Sequence, residues 1–225
     1  MTTFKKIKTP RIRLADEAYA QILEAIANGE IDPDRKIVQE KLAAELDISR
    51  TPVREALLRL EQEGILEIAG RGGFYIRKVS HEEVRFIYET RAAIEGYSAR
   101  LLSEAANTRT FQQIDAIISF EEGRDLETAA ELYDANRKIH RAFVERTQNR
   151  YLLDMFDQMW NRGFSLHMFS LIPSADLQLS LGEHHALCDV LRNGTPAESE
   201  AAMRAHIHTG LDLQLACMKD APSAS

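Results

Sequence analysis

Residues 49–64 read Ser49-Arg50-Thr51-Pro52-Val53-Arg54-Glu55-Ala56-Leu57-Leu58-Arg59-Leu60-Glu61-Gln62-Glu63-Gly64. Val53, Ala56, Leu57 and Leu60 recur at helical spacing, so one face of a helix is directed at a core. Ser49 is a good N-cap, and Pro52 falls in the first turn, where its missing N–H costs nothing. Arg50, Thr51 and Arg54 crowd the same helix start, where the helix dipole disfavours cations. Arginines set against a dipole expect an external anion. In a small helical domain that anion is DNA phosphate, with a guanine edge within reach. The competing reading is a solvated face on which these arginines pair with Glu55.

The flanking sequence extends this helix into a motif. Residues 14–28 form an amphipathic helix with Leu14, Ala18, Ile22 and Ile26 on one face, stopped by Asn28-Gly29. A shorter helix is expected over 37–46, with Asp47-Ile48-Ser49 as the turn into the third. After Gly64, two short apolar runs (65–68 and 74–77) flank Ala69-Gly70-Arg71-Gly72-Gly73, which reads as a hairpin with a glycine-rich tip. Three helices followed by a hairpin is the order of a winged helix-turn-helix, with the third helix in the major groove. Arg71 at the wing tip is then placed to reach a neighbouring minor groove or phosphate.

Residues 14–79 resemble the DNA-binding domain of the GntR bacterial regulators. The resemblance is carried by Ala43-Ala44-Glu45-Leu46, by the run from Ser49 to Leu57, by Leu60, by Glu63-Gly64-Ile65-Leu66 and by Gly72-Gly73. It implies that Ser49, Arg50, Thr51 and Arg54 meet DNA, and that Gly72 and Gly73 let the wing backbone approach it. Two positions depart from the family pattern: Pro33-Asp34 where Pro-Gly is usual, and Glu40 where a basic, DNA-facing residue is usual. Lys41 stands beside Glu40.

Charge is divided unevenly along the 225 residues, whose net charge is −7. Residues 1–80 hold 14 Lys and Arg against 13 Asp and Glu, whereas the remainder holds 14 against 22. Lys5, Lys6, Lys8, Arg11 and Arg13 precede any acid, so residues 1–13 read as a flexible basic arm adding salt-sensitive phosphate attraction. No apolar run is long enough to span a bilayer, and the N-terminus lacks a signal peptide's apolar core. Cys188 and Cys217 have neither zinc nor CxxC spacing and read as small core residues, which fits a reducing cytoplasm.

From Ser80, a cap with Glu82 and Glu83 in the first turn, the chain reads as helices only, near 81–106, 109–122, 125–147, 150–170, 174–193 and 195–218. Short turns between such helices predict an antiparallel bundle. The fold class expected is therefore mainly α: an N-terminal winged helix-turn-helix (14–79), then an all-helical bundle for effector binding and dimerisation (80–218) and a tail (219–225). Asn136 and His140 lie four apart on one helix face, while His184 and His206 fall on two further helices. Three imidazoles and an amide oxygen can form a divalent-metal site, although a single histidine on a helix is more often a core or surface residue. Trp160, Phe164 and Met168 form a stripe of core or dimer contacts, and His81, His167, His185 and His208 read as structural.

Residues 81–215 resemble the FCD domain, the helical effector module of the FadR-type branch of GntR regulators. The resemblance rests on Arg91-Ala92-Ala93-Ile94-Glu95, Asn136 through Phe143, Asn149, Glu183-His184 and Met203-Arg204-Ala205-His206. It implies a metal held by His140, His184 and His206, with Asn136 as a weak ligand or as a partner of a ligand, zinc first with nickel or manganese as alternatives; the competing reading is a metal-free pocket in which these groups hydrogen-bond a polar effector directly. In many relatives an Asp stands where this chain has Asn136. An amide oxygen brings no charge, so zinc should be held more weakly. Open metal positions suit a carboxylate, and Arg91 can clasp the same carboxylate or pair with Glu95 at i+4. The function expected is a ligand-responsive, homodimeric repressor that binds double-stranded operator DNA and a small organic acid. The alternatives are a metal-dependent enzyme, with Glu183 as the best base, and a helical adaptor whose DNA binding Glu40 has weakened.

Overall fold

The computed structural model describes residues 12–70, 72–160 and 163–219. Residues 1–11 of the expected basic arm, Arg71 and the last six residues lie outside them, whereas Ile12 and Arg13, counted in that arm, open the first helix. Contacts divide the chain into two units, Met1–Arg77 and Lys78–Ser225.

In the first unit, α1 (Ile12–Ala27), α2 (Gln39–Glu45) and α3 (Arg50–Gln62) precede strands β1 (Leu66–Ile68) and β2 (Phe74–Ile76). Val53, Ala56, Leu57 and Leu60 of α3 are all buried, against Ala18, Ile22 and Ile26 of α1 as the periodicity requires. Leu14, expected on that face, is 44% exposed. The strands pair antiparallel in the register Leu66 to Ile76 and Ile68 to Phe74. Ile37, expected to open the second helix, instead forms a β-bridge with Phe74, and the helix starts at Gln39. A β-branched residue beside an unpaired strand edge is better satisfied by the bridge than by a helix's first turn.

The described residues of the second unit form helices and no strand: α4 (His81–Ala105), α5 (Thr108–Glu122), α6 (Ala129–Glu145), α7 (Arg150–Trp160), α8 (Gly163–Phe169), α9 (Ser174–Leu181), α10 (His184–Asn193) and α11 (Pro196–Lys219). Starts are fixed by local chemistry. Ser80 and Glu83 form a capping box on α4, and Asn107 caps α5. Thr128 and Glu131 form a second capping box, which starts α6 at Ala129 rather than at 125. The longest helices, α4 and α11, run antiparallel. Ser103 Oγ donates to Gly194 O, Arg100 lies 3.6 Å from Glu200, and Tyr88 packs beside Gly210. A Cβ at Gly210 would stand 3.2 Å from the Tyr88 ring, so the small residue sets how closely these helices approach.

Over the segment 150–170 the described residues form α7 and α8, and residues 161–162 between them lie outside what is described. The helix expected over 174–193 is broken at Gly182-Glu183 into α9 and α10. This break matters, because it places the free carbonyl end of α9 beside the first residue of α10.

Candidate metal centre and nucleic-acid interface

His140 projects from α6, His184 from the first turn of α10 and His206 from α11. One ring nitrogen of each lies within 4.8 Å of the others. His140 Nε2 is 3.2 Å from His184 Nε2 and 3.4 Å from His206 Nε2. Metal–nitrogen bonds of about 2.0–2.1 Å in a tetrahedron separate ligand nitrogens by roughly 3.3 Å. The three rings therefore converge at ligand spacing.

The opposite edge of each ring is occupied. His140 Nδ1 lies 2.5 Å from Glu95 Oε2, His184 Nδ1 lies 2.7 Å from Leu181 O, and His206 Nδ1 lies 3.7 Å from Glu183 Oε2. A carbonyl only accepts, so His184 Nδ1 donates. Burial opposes the charge of Glu95, but Arg91 and His140 overcome it and hold its carboxyl at about 2. The ionised Glu95 makes His140 Nδ1 a donor too. Burial pushes His140 down to about 4, and burial with the two neighbouring rings pushes His206 down to about 2. In their neutral forms His140 and His184 thus aim bare Nε2 lone pairs at each other. That contact is unfavourable unless a proton or a cation lies between them. Carboxylate and carbonyl partners on the far ring nitrogens are the usual support of metal-bound histidines, and the residues fit a divalent metal.

Arg91 takes the alternative its spacing offered. Its Nε donates to Glu95 Oε1 at 3.1 Å, and its guanidinium stacks 4.4 Å from the Trp160 ring centre and 5.0 Å from that of Tyr88. Arg91 nevertheless lines, with Tyr88, Asn136, His140 and His206, a cavity of about 330 Å³ that includes space open to solvent. Asn136 is buried in its wall. A second, apolar cavity of about 230 Å³ lies beyond Arg91 and Phe169, between Ile87, Met159 and Met168.

Sequence reasoning missed three supports. Trp160, read as core, also donates its indole N–H to Glu95 Oε1 at 3.3 Å. Tyr88 walls the cavity, and the Leu181 carbonyl positions His184. Only the Gly182 break hinted at the last. Cys188 is buried and, like Cys217, unbridged, with burial pushing its thiol up to about 12. The remaining histidines stand apart from the cluster: His185 contacts Ser119, and His208 contacts the Arg204 carbonyl. His167 is buried, and His81 opens α4 at the surface. The side chain of Phe164 lies outside what is described.

In the first unit, Ser49, Arg50, Thr51 and Arg54 are all exposed at the start of α3. Ser49 occupies the N-cap position, but its side chain makes no capping hydrogen bond. Arg50 pairs with Glu40 of α2 at 3.4 Å rather than with Glu55. Gln39 Nε2 donates to the Arg50 carbonyl at 2.8 Å. Arg54 has no ion pair among the described residues. The two wing glycines differ. Gly72 is exposed at φ +80°, with open space where a Cβ would stand. At Gly73 (φ +93°) a Cβ would stand 2.8 Å from Ile37 O. The geometry gives Gly73 the task of letting its own chain close the Ile37–Phe74 bridge.

A winged helix-turn-helix followed in the chain by a helical unit is the organisation of a DNA-binding transcriptional regulator. The family model described as "Bacterial regulatory proteins, gntR family" matches residues 14–76, and that of the FCD domain matches residues 86–209. The chain belongs to the GntR family, in the group that carries an FCD domain. The Nta operon transcriptional regulator of Aminobacter aminovorans is 28% identical over 190 residues, spanning 84% of this chain and 89% of that protein. The HTH-type transcriptional regulator McbR of Escherichia coli is 24% identical, spanning 82% and 85%. The solved structure of E. coli McbR/YncC has the same fold, with a TM-score of 0.63, 20% identity and coverage of 90% and 97%. These relatives are transcriptional regulators, not enzymes. Among the described residues no helix is long and apolar enough to cross a membrane.

Proposed function

We propose that this regulator is a homodimeric repressor whose helical unit binds a small organic acid through a divalent metal, zinc first, held by His140, His184 and His206. The observation that carries the reading is the convergence of the three imidazoles at ligand spacing, with both fully buried rings braced on their far nitrogens. Bound there, the metal would offer a Lewis-acidic position for an acid's oxygens. Asn136 offers an uncharged amide oxygen from the same wall, and Arg91 presents a cation to the same cavity. The acid acts on DNA binding only through different affinities for the DNA-competent and DNA-incompetent arrangements. Arg50, Thr51 and Arg54 supply base and phosphate contacts in each half-site of a two-fold operator.

The test pairs metal analysis with binding to the DNA upstream of the chain's own gene. With zinc and candidate acids present, the full chain takes up one zinc per protomer and releases the DNA. His140→Ala and His206→Ala bind the same DNA without metal and ignore the acids. Unchanged zinc content in both variants rules out the site.

A further inference from the structure

We propose that Glu40 is a specificity residue of the DNA-facing surface: held beside Arg50, its carboxylate reads a cytosine in each half-site of the operator. The inference rests on the operator-binding reading above and adds a base contact made from α2.

Glu40 and Arg50 come from different helices yet form one unit. Arg50 Nη1 lies 3.4 Å from Glu40 Oε1, with the two side chains 69% and 61% exposed. The two helix starts are also joined through the backbone, because Gln39 Nε2 donates to the Arg50 carbonyl at 2.8 Å. Glu40 has no second ion pair among the described residues, so its carboxylate keeps acceptor capacity for another donor. Thr51 and Arg54 are exposed on the turn that Arg50 opens.

A carboxylate on such a surface has few ways to gain from DNA. Phosphates repel it, and duplex DNA carries one negative charge per about 1.7 Å of axis. In the major groove, guanine N7 and O6 and thymine O4 are acceptors and offer it nothing, whereas cytosine N4 and adenine N6 donate. Arg50 decides between those two. A G·C pair sets two neighbouring acceptors, N7 and O6, next to the N4 donor of cytosine. That order matches a guanidinium held beside a carboxylate. In an A·T pair the N6 donor separates the N7 and O4 acceptors, and the match is lost. Arg50 therefore takes guanine and Glu40 takes the N4–H of cytosine. The same carboxylate offsets part of the Arg50 charge and so weakens attraction to phosphates of any sequence. Specificity is a difference of affinities, and a group that penalises the wrong sequences contributes to it.

The test presents the full chain with duplexes carrying a randomised stretch and sequences the bound fraction. Each cytosine of the enriched motif is then replaced in turn by N4-methylcytosine. The methyl group fills the major-groove position of the N4–H, while the other N4–H still pairs with guanine. One cytosine per half-site should lose affinity for the natural chain by about 10-fold or more on this change. For Glu40→Ala the same change should cost less than about 2-fold, while binding to random DNA tightens. Glu40→Gln, taken through the same selection, should admit adenine at that position, because a glutamine amide pairs with adenine N6 and N7. Equal costs in the natural chain and Glu40→Ala at every cytosine overturn the proposal and leave Glu40 a charge effect alone. Enrichment of no motif by the natural chain overturns the operator-binding reading itself, and this proposal with it.

Discussion

Glu95 Oε2 stands 2.5 Å from His140 Nδ1 across the interior of the helical unit, joining α4 to α6 over 45 residues of chain. Neither group is solvated: Glu95 is 0% and His140 1% exposed. Arg91 and Trp160 close the other side of the carboxylate. Glu95 therefore has two tasks, balancing a buried guanidinium and orienting a histidine towards its two partners.

Replacing Glu95 by Gln keeps the shape but removes both tasks. Leaving a buried partner charged and unpaired costs about 3–5 kcal/mol. The helical unit should lose stability on that scale in a urea titration followed by the fluorescence of Trp160, the single tryptophan. Zinc affinity, measured with succinate present, should fall by about 10- to 100-fold through the lost orientation of His140. A variant as stable as the natural chain would mean that Arg91 finds another partner.

Stability of the metal-free helical unit should fall as the solution is acidified. His140 and His206, pushed down to about 4 and about 2, stay neutral in the folded chain, while their unfolded counterparts protonate below about 6.5. The unfolded state then binds more protons, so each group withdraws up to about 1.4 kcal/mol per pH unit below that point. Glu95, held at about 2, contributes stability present above its unfolded value near 4.5 and lost as the pH falls towards 2. Urea midpoints in a chelator should therefore be level above pH 7 and decline steadily from pH 6.5 to 4. A flat profile over that window would show that the two rings are not held neutral.

On the DNA side, Arg54 is exposed without an ion pair among the described residues, and Arg50 is tied to Glu40. Arg54→Ala should weaken binding to the operator by about 1–3 kcal/mol with little effect on random sequence, if it reads a base edge. Equal losses on both DNAs would assign it to phosphate. Glu40→Gln releases Arg50 from an exposed pair worth about 0–1 kcal/mol to the fold. It should tighten binding and steepen the salt dependence by up to about one unit of log–log slope. An unchanged slope would mean that Arg50 already leaves Glu40 when DNA binds.

The wing offers a paired test in the backbone. Both Gly72 and Gly73 have positive φ, which costs a side chain about 1–2 kcal/mol. Gly73→Ala must also push its Cβ away from Ile37 O at 2.8 Å, whereas Gly72→Ala meets open space. Thermal unfolding of the first unit should therefore fall further for Gly73→Ala than for Gly72→Ala. Equal shifts would remove the role assigned to the Ile37–Phe74 bridge.

What the sequence determined by itself is the local part of this protein. The buried face of α3, the exposed arginines at its start and the capping box at Ser80 follow from residues within a few positions of each other. So does the shared face of Asn136 and His140, because helical periodicity is set by the backbone alone. The Thr128–Glu131 box was equally local, and its signature was there to read. Tertiary structure decided what the far edges of those same residues meet. The pairing of Arg50 with Glu40 depends on how α2 packs on α3. The contact of Glu95 with His140 depends on α4 meeting α6, and the donation of His184 to Leu181 depends on α9 ending where it does. Such contacts join residues whose separation in sequence carries no period, so only the packing of helices selects them. The histidines could be named from the sequence; the support that aims them at one point could not.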